Sequence, residues 1–239
     1  MKKSIKVLHL YPQDMNIYGD RGNVLVVMKR LKWQGYNPIL VEYNPGDEFP
    51  MDVDIIIGGG GQDSGQNKIQ DDLLSIGPKL KQLADRNVPM LMICGLYQLF
   101  GKFFKTSGGE IIKGIELLNI ETFGGSERLI GNIISHSQEF GDIVGYENHS
   151  GQTYLGKGVK QLGQVHFVAG NNTEIISEGA RYKNVIGSYM HGSLLPKNPL
   201  IADFLIKKAV INKYGEFKSV KINDDFADKA RKVAMNCSR

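Results

Sequence analysis

The sequence predicts an α/β protein built on a doubly wound, flavodoxin-like parallel sheet, with a helical tail at its C-terminus. Short apolar segments of strand length alternate with amphipathic segments of helix length. Several strand segments are continuously apolar, which is typical of strands that helices cover on both faces. With 239 residues, of which 41% are hydrophobic and 23% charged, the chain is long enough for one large domain of this class.

The strand-like and helix-like segments alternate along the chain. Strands are predicted at residues 6–11, 37–43, 53–57, 90–93, 164–169, 174–177 and 185–190, and helices at 23–34 and 76–87. The first helix carries its apolar stripe at Val24, Val27, Met28 and Leu31. Because crossovers between parallel strands are right-handed, these segments predict the doubly wound order, with ligands bound at the carboxyl edge of the sheet.

The chain is predicted to consist of one main domain, residues 1–202, and a lysine-rich helix with a looser tail, residues 203–239. No linker, internal repeat or low-complexity segment separates two independent domains. The tail is a candidate docking surface for a partner, although a solvated helix face accounts for it equally well. The Gly-Asp-Arg-Gly-Asn loop at residues 19–23 is a second candidate, with an N-cap turn as the alternative.

Composition excludes several classes of protein. The net charge of +4 is mild, and no dense tract of lysine and arginine indicates a nucleic-acid surface. Two cysteines cannot form a disulfide framework, the apolar N-terminal segment is too short for a signal peptide, and no segment approaches membrane-spanning length. We therefore expect a protein of the reducing cytoplasm.

Cys94 lies where a buried apolar strand changes into a helix. The apolar residues 88–93 precede it, and a glycine-led helical segment follows. In a nucleophile elbow, a strained turn of this kind presents the reactive side chain at the carboxyl edge, beside unpaired amides that favour the thiolate. A free cysteine is as often a small buried hydrophobic residue, so this segment alone leaves both interpretations open.

His191 favours the reactive interpretation of Cys94. It follows another strand-like segment, residues 184–190, so its side chain is expected at the same sheet edge. A cysteine nucleophile requires a histidine that accepts and returns a proton, and that histidine is usually distant in sequence. The two residues together predict cysteine-based catalysis.

The motifs around these residues resemble a known family. Ile-Cys-Gly-Leu-Tyr-Gln at 93–98, with Tyr-Met-His-Gly at 189–192, is similar to the class I glutamine amidotransferases of the cobyric acid synthase type. The segments 16–23, 57–61, 128–129, 146–149 and 191–198 resemble, in this order, the glutaminase subunits of bacterial lipid II isoglutaminyl synthases. Pro-Lys-Asn at 196–198 points most to these subunits.

The resemblance implies that Cys94 attacks glutamine and that His191 protonates the departing ammonia. Many class I enzymes carry a glutamate two residues after the histidine, whereas Ser193 stands there in this chain. We therefore expect a Cys94/His191 dyad, and a distant carboxylate that completes a triad stays open. The amides of Gly60 and Gly95 are the expected donors to the oxyanion; for the glycine cluster 58–61, a flexible turn is the alternative.

The resemblance also assigns Arg128 to the glutamine substrate. By its sequence context alone, Arg128 reads as a solvated surface charge. The matching arginine of the family is associated with glutamine, and a guanidinium binds an α-carboxylate in a bidentate manner. The polar segment 148–153 is expected to form a loop that lines the pocket, with an Asx-type turn as the alternative.

No metal site or nucleotide site is predicted on this chain. His9, His136 and His166 are scattered and read as structural, and His149 is not counted as catalytic. The glycine cluster lacks the Gly-Lys-Ser/Thr ending of a phosphate-binding loop, so ATP is not expected here.

The resemblance implies a partner that uses the ammonia. This partner is a Mur-ligase-like synthetase subunit of the MurT type, which forms a heterodimer with this chain and binds ATP and Mg²⁺. It amidates the D-glutamate of the lipid II stem peptide to D-isoglutamine, in peptidoglycan synthesis. Two alternatives stay open: a glutaminase for another acceptor, such as a cobyric-acid-type substrate, and a non-catalytic adaptor with the same fold.

Overall fold

The computed structural model describes residues 2–165 and 170–237. The strands, numbered in chain order, are β1 (Ser4–Leu10), β2 (Asn37–Tyr43), β3 (Ile55–Gly58), β4 (Met90–Ile93), β5 (Phe103–Lys105), β6 (Ile111–Lys113), β7 (Ile120–Ser137), β8 (Gly141–Leu155), β9 (Gly163–Val165), β10 (Ser177–Glu178), β11 (Ala180–Tyr182) and β12 (Val185–Ser188). The helices are α1 (Arg21–Trp33), α2 (Asp63–Asp85), α3 (Gly95–Leu99), α4 (Leu194–Lys197), α5 (Pro199–Tyr214) and α6 (Asp225–Asn236).

The first sheet has the predicted doubly wound order. Its strands lie in the order β11-β12-β4-β3-β1-β2, and every neighbouring pair is parallel except β11 with β12. Without the antiparallel edge strand, this is the flavodoxin-like order. Strands β3, β4 and β12 consist entirely of buried residues, because helices cover both faces of the sheet. The predicted fold class is confirmed.

Most predicted elements of this sheet agree with the structure to within a few residues. The predicted bounds of β2 and β4 are those observed. The helix predicted at 76–87 is wrong at its start, because α2 begins at Asp63. Its apolar stripe also includes Ile69 and Leu73, but the polar residues around them hide the helical period. Of the strand predicted at 164–169, β9 accounts for the beginning, and residues 166–169 lie outside the described residues.

A second, mainly antiparallel sheet was not predicted. Its strands lie in the order β10-β9-β7-β5-β6, and β8 pairs with β7 as a long hairpin. The segment 148–153, expected to be a loop, is part of β8, so the prediction of a loop at these residues is wrong. Burial alternates from Glu147 to Gly151, as in a strand, but the buried side chains are polar. A strand with a polar buried face has the composition of a loop, which explains the error.

The C-terminal segment begins within the core. Helix α5 crosses the predicted boundary between residues 202 and 203 without interruption, and it buries Ile201, Leu205 and Ala209. Helix α6 has no buried residue. Arg30 of α1 binds the carboxylates of Asp203 and Asp224, which fastens the start of α6 to the domain. The division into a domain of residues 1–202 and a tail stays a prediction.

Within residues 2–165 and 170–237, none of the helices combines the length and apolar character needed to cross a bilayer.

Candidate functional site

The turn that carries Cys94 has the strand–turn–helix geometry of a nucleophile elbow. Cys94 joins β4 to α3 and has a φ of 48°, a conformation that residues with a side chain rarely adopt. Its backbone N–H donates to the carbonyl of Ser188, at the end of the neighbouring strand β12. This bond fixes the elbow at the edge of the sheet from which the chain continues to His191.

His191 lies three residues beyond β12 and is completely buried. Its backbone N–H donates to the carbonyl of Tyr146 in β8, so the second sheet helps to hold it. The imidazole Nδ1 donates to the carboxylate of Asp20, with Oδ2 at 3.1 Å. This leaves Nε2, which has no oxygen or nitrogen partner among the described residues, for the thiol of Cys94. The structure therefore brings the two predicted residues together.

Asp20 is the carboxylate that sequence reasoning left unnamed. It follows the short 3-10 turn Ile17–Gly19 after β1, and its side chain is almost completely buried. The expected dyad is thus extended to a Cys94–His191–Asp20 arrangement. The available signal was an acidic residue in the segment after the first strand, at the same sheet edge as Cys94. Nothing in that segment indicates which residue it faces.

Ser193 and the 19–23 loop also have internal roles. The Ser193 hydroxyl donates to the carbonyl of Gly19 at 2.6 Å, so it supports the turn that carries Asp20. Asn23 is buried, and its side-chain oxygen accepts the N–H of Leu195 at 2.9 Å. Asp20 and Asn23 therefore do not serve the docking role expected of this loop, because their side chains are not accessible to a partner.

The charge of His191 follows from its two anionic neighbours. Burial alone lowers the pKa of an imidazole, but the negative charges of Cys94 and Asp20 outweigh it and raise the pKa of His191 to about 10. At neutral pH the histidine therefore holds a proton beside the sulfur of Cys94. A thiolate with an imidazolium next to it is a nucleophile paired with a proton donor.

The glycine loop after β3 contacts this pair closely. A Cβ on Gly60 would lie 2.6 Å from His191 Cε1 and 3.2 Å from Cys94 Cβ, so only glycine fits. The Gly60 N–H donates to Asp20 Oδ2 at 2.7 Å. This corrects the expected oxyanion contact from Gly60, because its amide is already used by the carboxylate.

Two neighbouring amides remain available beside the thiol. Among the described residues, no backbone acceptor is found for the N–H groups of Gly61 and Gly95. A Cβ on Gly95 would lie 3.0 Å from the nitrogen of Gly61, which shows how near the two segments are. Gly95 therefore stays a candidate donor to an oxyanion, and Gly61 takes the place of Gly60.

Cys94 opens into a pocket of about 360 Å³. Arg128 lines this pocket from β7, close to the β-bulge between Gly124 and Leu129. Its Nε donates to Asn148 Oδ1 at 2.7 Å, and its Nη2 donates to the hydroxyl of Tyr18 at 3.4 Å. The structure thus brings Arg128 and Cys94 to one pocket, as the predicted substrate role of Arg128 requires. Arg128 is exposed, as a solvated surface charge would be, but it also lines this pocket.

Further polar side chains line this pocket, and the lining role expected of the segment 148–153 is confirmed for residues 148–151. Gln66 and Gln98 also line it, and their roles were not predicted. Gln66 donates to Gln98 at 3.0 Å, and Gln98 donates to the hydroxyl of Tyr189 at 3.1 Å. His149 stacks on the Tyr189 ring, with 3.6 Å between ring centroids, and burial lowers its pKa despite the nearby Glu147. The neutral His149 is a wall of the pocket.

His9, His136 and Cys237 do not line this pocket. His9 is buried in β1, and burial lowers its pKa. His136 is exposed on β7 and is paired with Asp142 at 2.8 Å. His166 lies outside the described residues, and Cys237 is exposed.

Comparison with known proteins gives a family for the chain. The family model of the CobB/CobQ-like glutamine amidotransferase domain matches residues 6–199. The chain is 36% identical over 233 residues to lipid II isoglutaminyl synthase (glutamine-hydrolyzing) subunit GatD of Staphylococcus aureus (strain N315), and the match covers 97% of this chain and 95% of that protein. The GatD subunit of Streptococcus pneumoniae (strain ATCC BAA-255 / R6) is 36% identical over 215 residues, covering 89% of this chain and 83% of that protein.

Solved structures agree on the fold. A crystal structure of a glutamine amidotransferase superposes with a TM-score of 0.58 at 14% identity, over 84% of this chain and 98% of that one. The structure of PurLQS from Thermotoga maritima gives a TM-score of 0.58 at 16% identity, over 89% of this chain and 99% of that one.

Proposed function

We propose a function from the premise that this chain belongs to the CobB/CobQ-like glutamine amidotransferase family and, within it, to the GatD glutamine-hydrolysing subunits. The chain hydrolyses glutamine to glutamate and ammonia, and Cys94 is the nucleophile. One observation carries this proposal: the buried Cys94–His191–Asp20 arrangement lies at a pocket whose opposite side presents a guanidinium.

In the first half of the reaction, the Cys94 thiolate attacks the side-chain amide carbon of glutamine. The protonated His191 gives its proton to the departing ammonia, and a γ-glutamyl thioester remains on Cys94. In the second half, His191 takes a proton from water, which attacks the thioester and releases glutamate and the thiolate. Asp20 orients the imidazole through Nδ1 and stabilises its positive charge in both halves.

The oxyanion that forms in each half is assigned to the amides of Gly61 and Gly95. Both N–H groups lie beside the thiol without a backbone acceptor among the described residues. Each such donor contributes about 3 kcal/mol of transition-state stabilisation in comparable enzymes. The Gly60 amide contributes indirectly, because it holds the carboxylate of Asp20.

Arg128 binds the α-carboxylate of glutamine. Its Nε is occupied by Asn148, while Nη1 has no partner among the described residues, and the Arg128 side chain lines a pocket large enough for one amino acid. A planar guanidinium matches a carboxylate in a bidentate manner, so lysine is a poor replacement.

The ammonia is used by a synthetase partner. Both GatD relatives are named as subunits of lipid II isoglutaminyl synthase. We extend this to the present chain: a Mur-ligase-like subunit of the MurT type binds ATP and Mg²⁺, and it amidates the D-glutamate of the lipid II stem peptide. The cytoplasmic location stays a prediction.

Covalent labelling of Cys94 tests the glutaminase function directly. The purified chain, alone and with its synthetase partner, is treated with an electrophilic glutamine analogue, and the adduct is located by intact mass and peptide mapping. A single adduct on Cys94, weaker in His191→Ala and Arg128→Ala, is expected. A folded wild-type chain that forms no adduct in either preparation supports the adaptor alternative instead.

A deletion that tests docking through the C-terminal tail must begin after residue 203, the predicted start of the tail. Residues 203–214 belong to the core helix α5, whereas α6 buries none of its residues. Removal of residues 225–239 is therefore expected to leave the domain folded and to weaken co-purification with the synthetase. Unchanged co-purification would show that the partner binds elsewhere.

A further inference from the structure

Tyr18 occupies a strained position at the mouth of the candidate glutamine pocket. It lies in the turn Ile17–Gly19, two residues before Asp20, and its φ is 54°. Side-chain-bearing residues rarely adopt this conformation, and it persists only where the surroundings hold it. Here they do: the N–H of Ile17 donates to the carbonyl of Gly60, and the carbonyl of Gly19 accepts the Ser193 hydroxyl.

The Tyr18 side chain contacts both sides of the pocket. Its ring packs edge to face against the His191 imidazole, with 4.9 Å between centroids and an interplanar angle of 75°. Its hydroxyl accepts a hydrogen bond from Arg128 Nη2 at 3.4 Å. Arg128 lies in the second sheet and His191 follows strand β12 of the first, so Tyr18 is a direct side-chain connection between the two sides of the pocket.

The exposure of Tyr18 requires an explanation of its own. The residue is 45% exposed, while the histidine that it covers is completely buried. A tyrosine that served only the core would be buried together with its partner. Tyr18 instead forms part of the surface that glutamine must pass, because it lines the pocket with Cys94 and Arg128.

We propose that Tyr18 is a positioning residue, which aligns Arg128 for the glutamine carboxylate and shields one face of the His191 imidazole from bulk solvent. This inference rests on the proposed glutaminase function. The hydroxyl holds one edge of the guanidinium while Nη1 stays available for the substrate. The ring packs against the imidazole, so that proton transfer from His191 to the departing ammonia is shielded from bulk solvent on that side.

Two substitutions separate these contacts. Tyr18→Phe removes only the hydroxyl. Tyr18→Asn removes the ring, and asparagine tolerates a positive φ better than most residues, so the turn is expected to persist. Thermal unfolding of each variant confirms that it is folded. Tyr154→Phe is the matched control, since Tyr154 lies on β8 and packs on Phe123 at the far end of the hairpin.

For Tyr18→Phe we expect the KM for glutamine to rise roughly threefold to tenfold, the range for one lost ordinary hydrogen bond, because the 3.4 Å contact is long for a charged donor; kcat should stay within about twofold of wild type. The loss should disappear when Arg128 is already alanine, as measured from initial rates well below KM in a double-mutant cycle. For Tyr18→Asn we expect kcat to fall by roughly tenfold or more as well.

The outcomes distinguish this inference from the function on which it rests. Measurements use the full chain, alone and with its synthetase partner. If wild-type chain releases no ammonia from glutamine in either form, the proposed function fails, and the role of Tyr18 with it. If wild type and Tyr154→Phe are active and Tyr18→Phe matches them, or if its loss is the same with and without Arg128, only the Tyr18 inference is overturned.

Discussion

The two sides of the candidate glutamine pocket differ in burial. At the carboxyl edge of the first sheet, Cys94, His191 and Asp20 are all buried; Cys94 and His191 follow strands β4 and β12, and Asp20 follows the 3-10 turn after β1. On the β7–β8 hairpin, Arg128 is exposed and held by side-chain hydrogen bonds to Asn148 and Tyr18. In the proposed function, Cys94, His191 and Asp20 are buried because charges interact more strongly away from water. Arg128 is exposed because it must meet a charged substrate that arrives from water.

The β7–β8 hairpin also contains a histidine–carboxylate pair, but this pair is exposed. His136 and Asp142 lie 2.8 Å apart, close to the 3.1 Å between His191 and Asp20, but their side chains are 60% and 41% exposed. Solvent screening makes such an exposed pair worth little. Burial and the neighbouring thiolate, rather than the pair itself, distinguish the candidate catalytic histidine.

The largest expected effect is at His191. His191→Gln removes the proton donor, and we expect kcat for glutamine hydrolysis to fall on the order of 10⁴-fold. His136→Gln is the matched control and should stay within about twofold of wild type. Ammonia release at saturating glutamine measures both, and retention of a tenth of the wild-type rate by His191→Gln would remove this residue from the mechanism.

A smaller loss is expected at Asp20. Asp20→Asn keeps the shape but removes the charge, and we expect kcat to fall roughly 10²–10³-fold, less than in serine-based triads because the thiolate also stabilises the imidazolium. The pKa of His191 is raised to about 10 partly by Asp20, so without that charge it falls.

The pH–rate profile checks the sign of this effect. Activity requires protonated His191, so its alkaline limb reports loss of that proton. Asp20→Asn should move this limb to lower pH, while Asp142→Asn leaves it in place. An alkaline limb that does not move would show that Asp20 has no electrostatic role.

The next largest loss of activity is expected at Gly60, whose backbone lies close to His191. In Gly60→Ala, the added methyl group meets His191 Cε1, and we expect kcat to fall about 10²-fold by displacement of the imidazole. Gly108→Ala is the control, because the nearest atom to its added Cβ is Thr106 Oγ1 at 3.8 Å. Equal activity of the two variants would mean that the glycine loop shifts to accept the methyl group without displacing the imidazole.

The smallest effect is expected on the hairpin side. Arg128→Lys keeps the charge but loses bidentate geometry, and we expect the KM for glutamine to rise roughly tenfold with kcat within a few-fold of wild type. Arg86→Lys at the end of α2 is the control. A fall in kcat with unchanged KM would contradict the difference between the two sides, since Arg128 would then act in the chemical step.

Local sequence patterns correctly predicted the parts of the fold in which apolar residues are buried and polar residues are exposed. The bounds of β4 and the elbow at Cys94 follow from a continuous apolar segment that ends at a glycine. The start of α2 and the strand β8 were misjudged, because polar residues interrupt the period of the helix and fill the buried face of the strand. Tertiary context overrides the local pattern at both positions.

By itself, the sequence determined the parallel sheet, the elbow with Cys94 and the second strand end with His191, because strand length, apolar composition and glycine position are local properties. Only the tertiary structure decided that Asp20, 171 residues away from His191, orients the imidazole, and that this carboxylate uses the Gly60 amide. The reason is physical: these contacts depend on two loops meeting at one sheet edge within hydrogen-bond distance. No spacing along the chain encodes that approach.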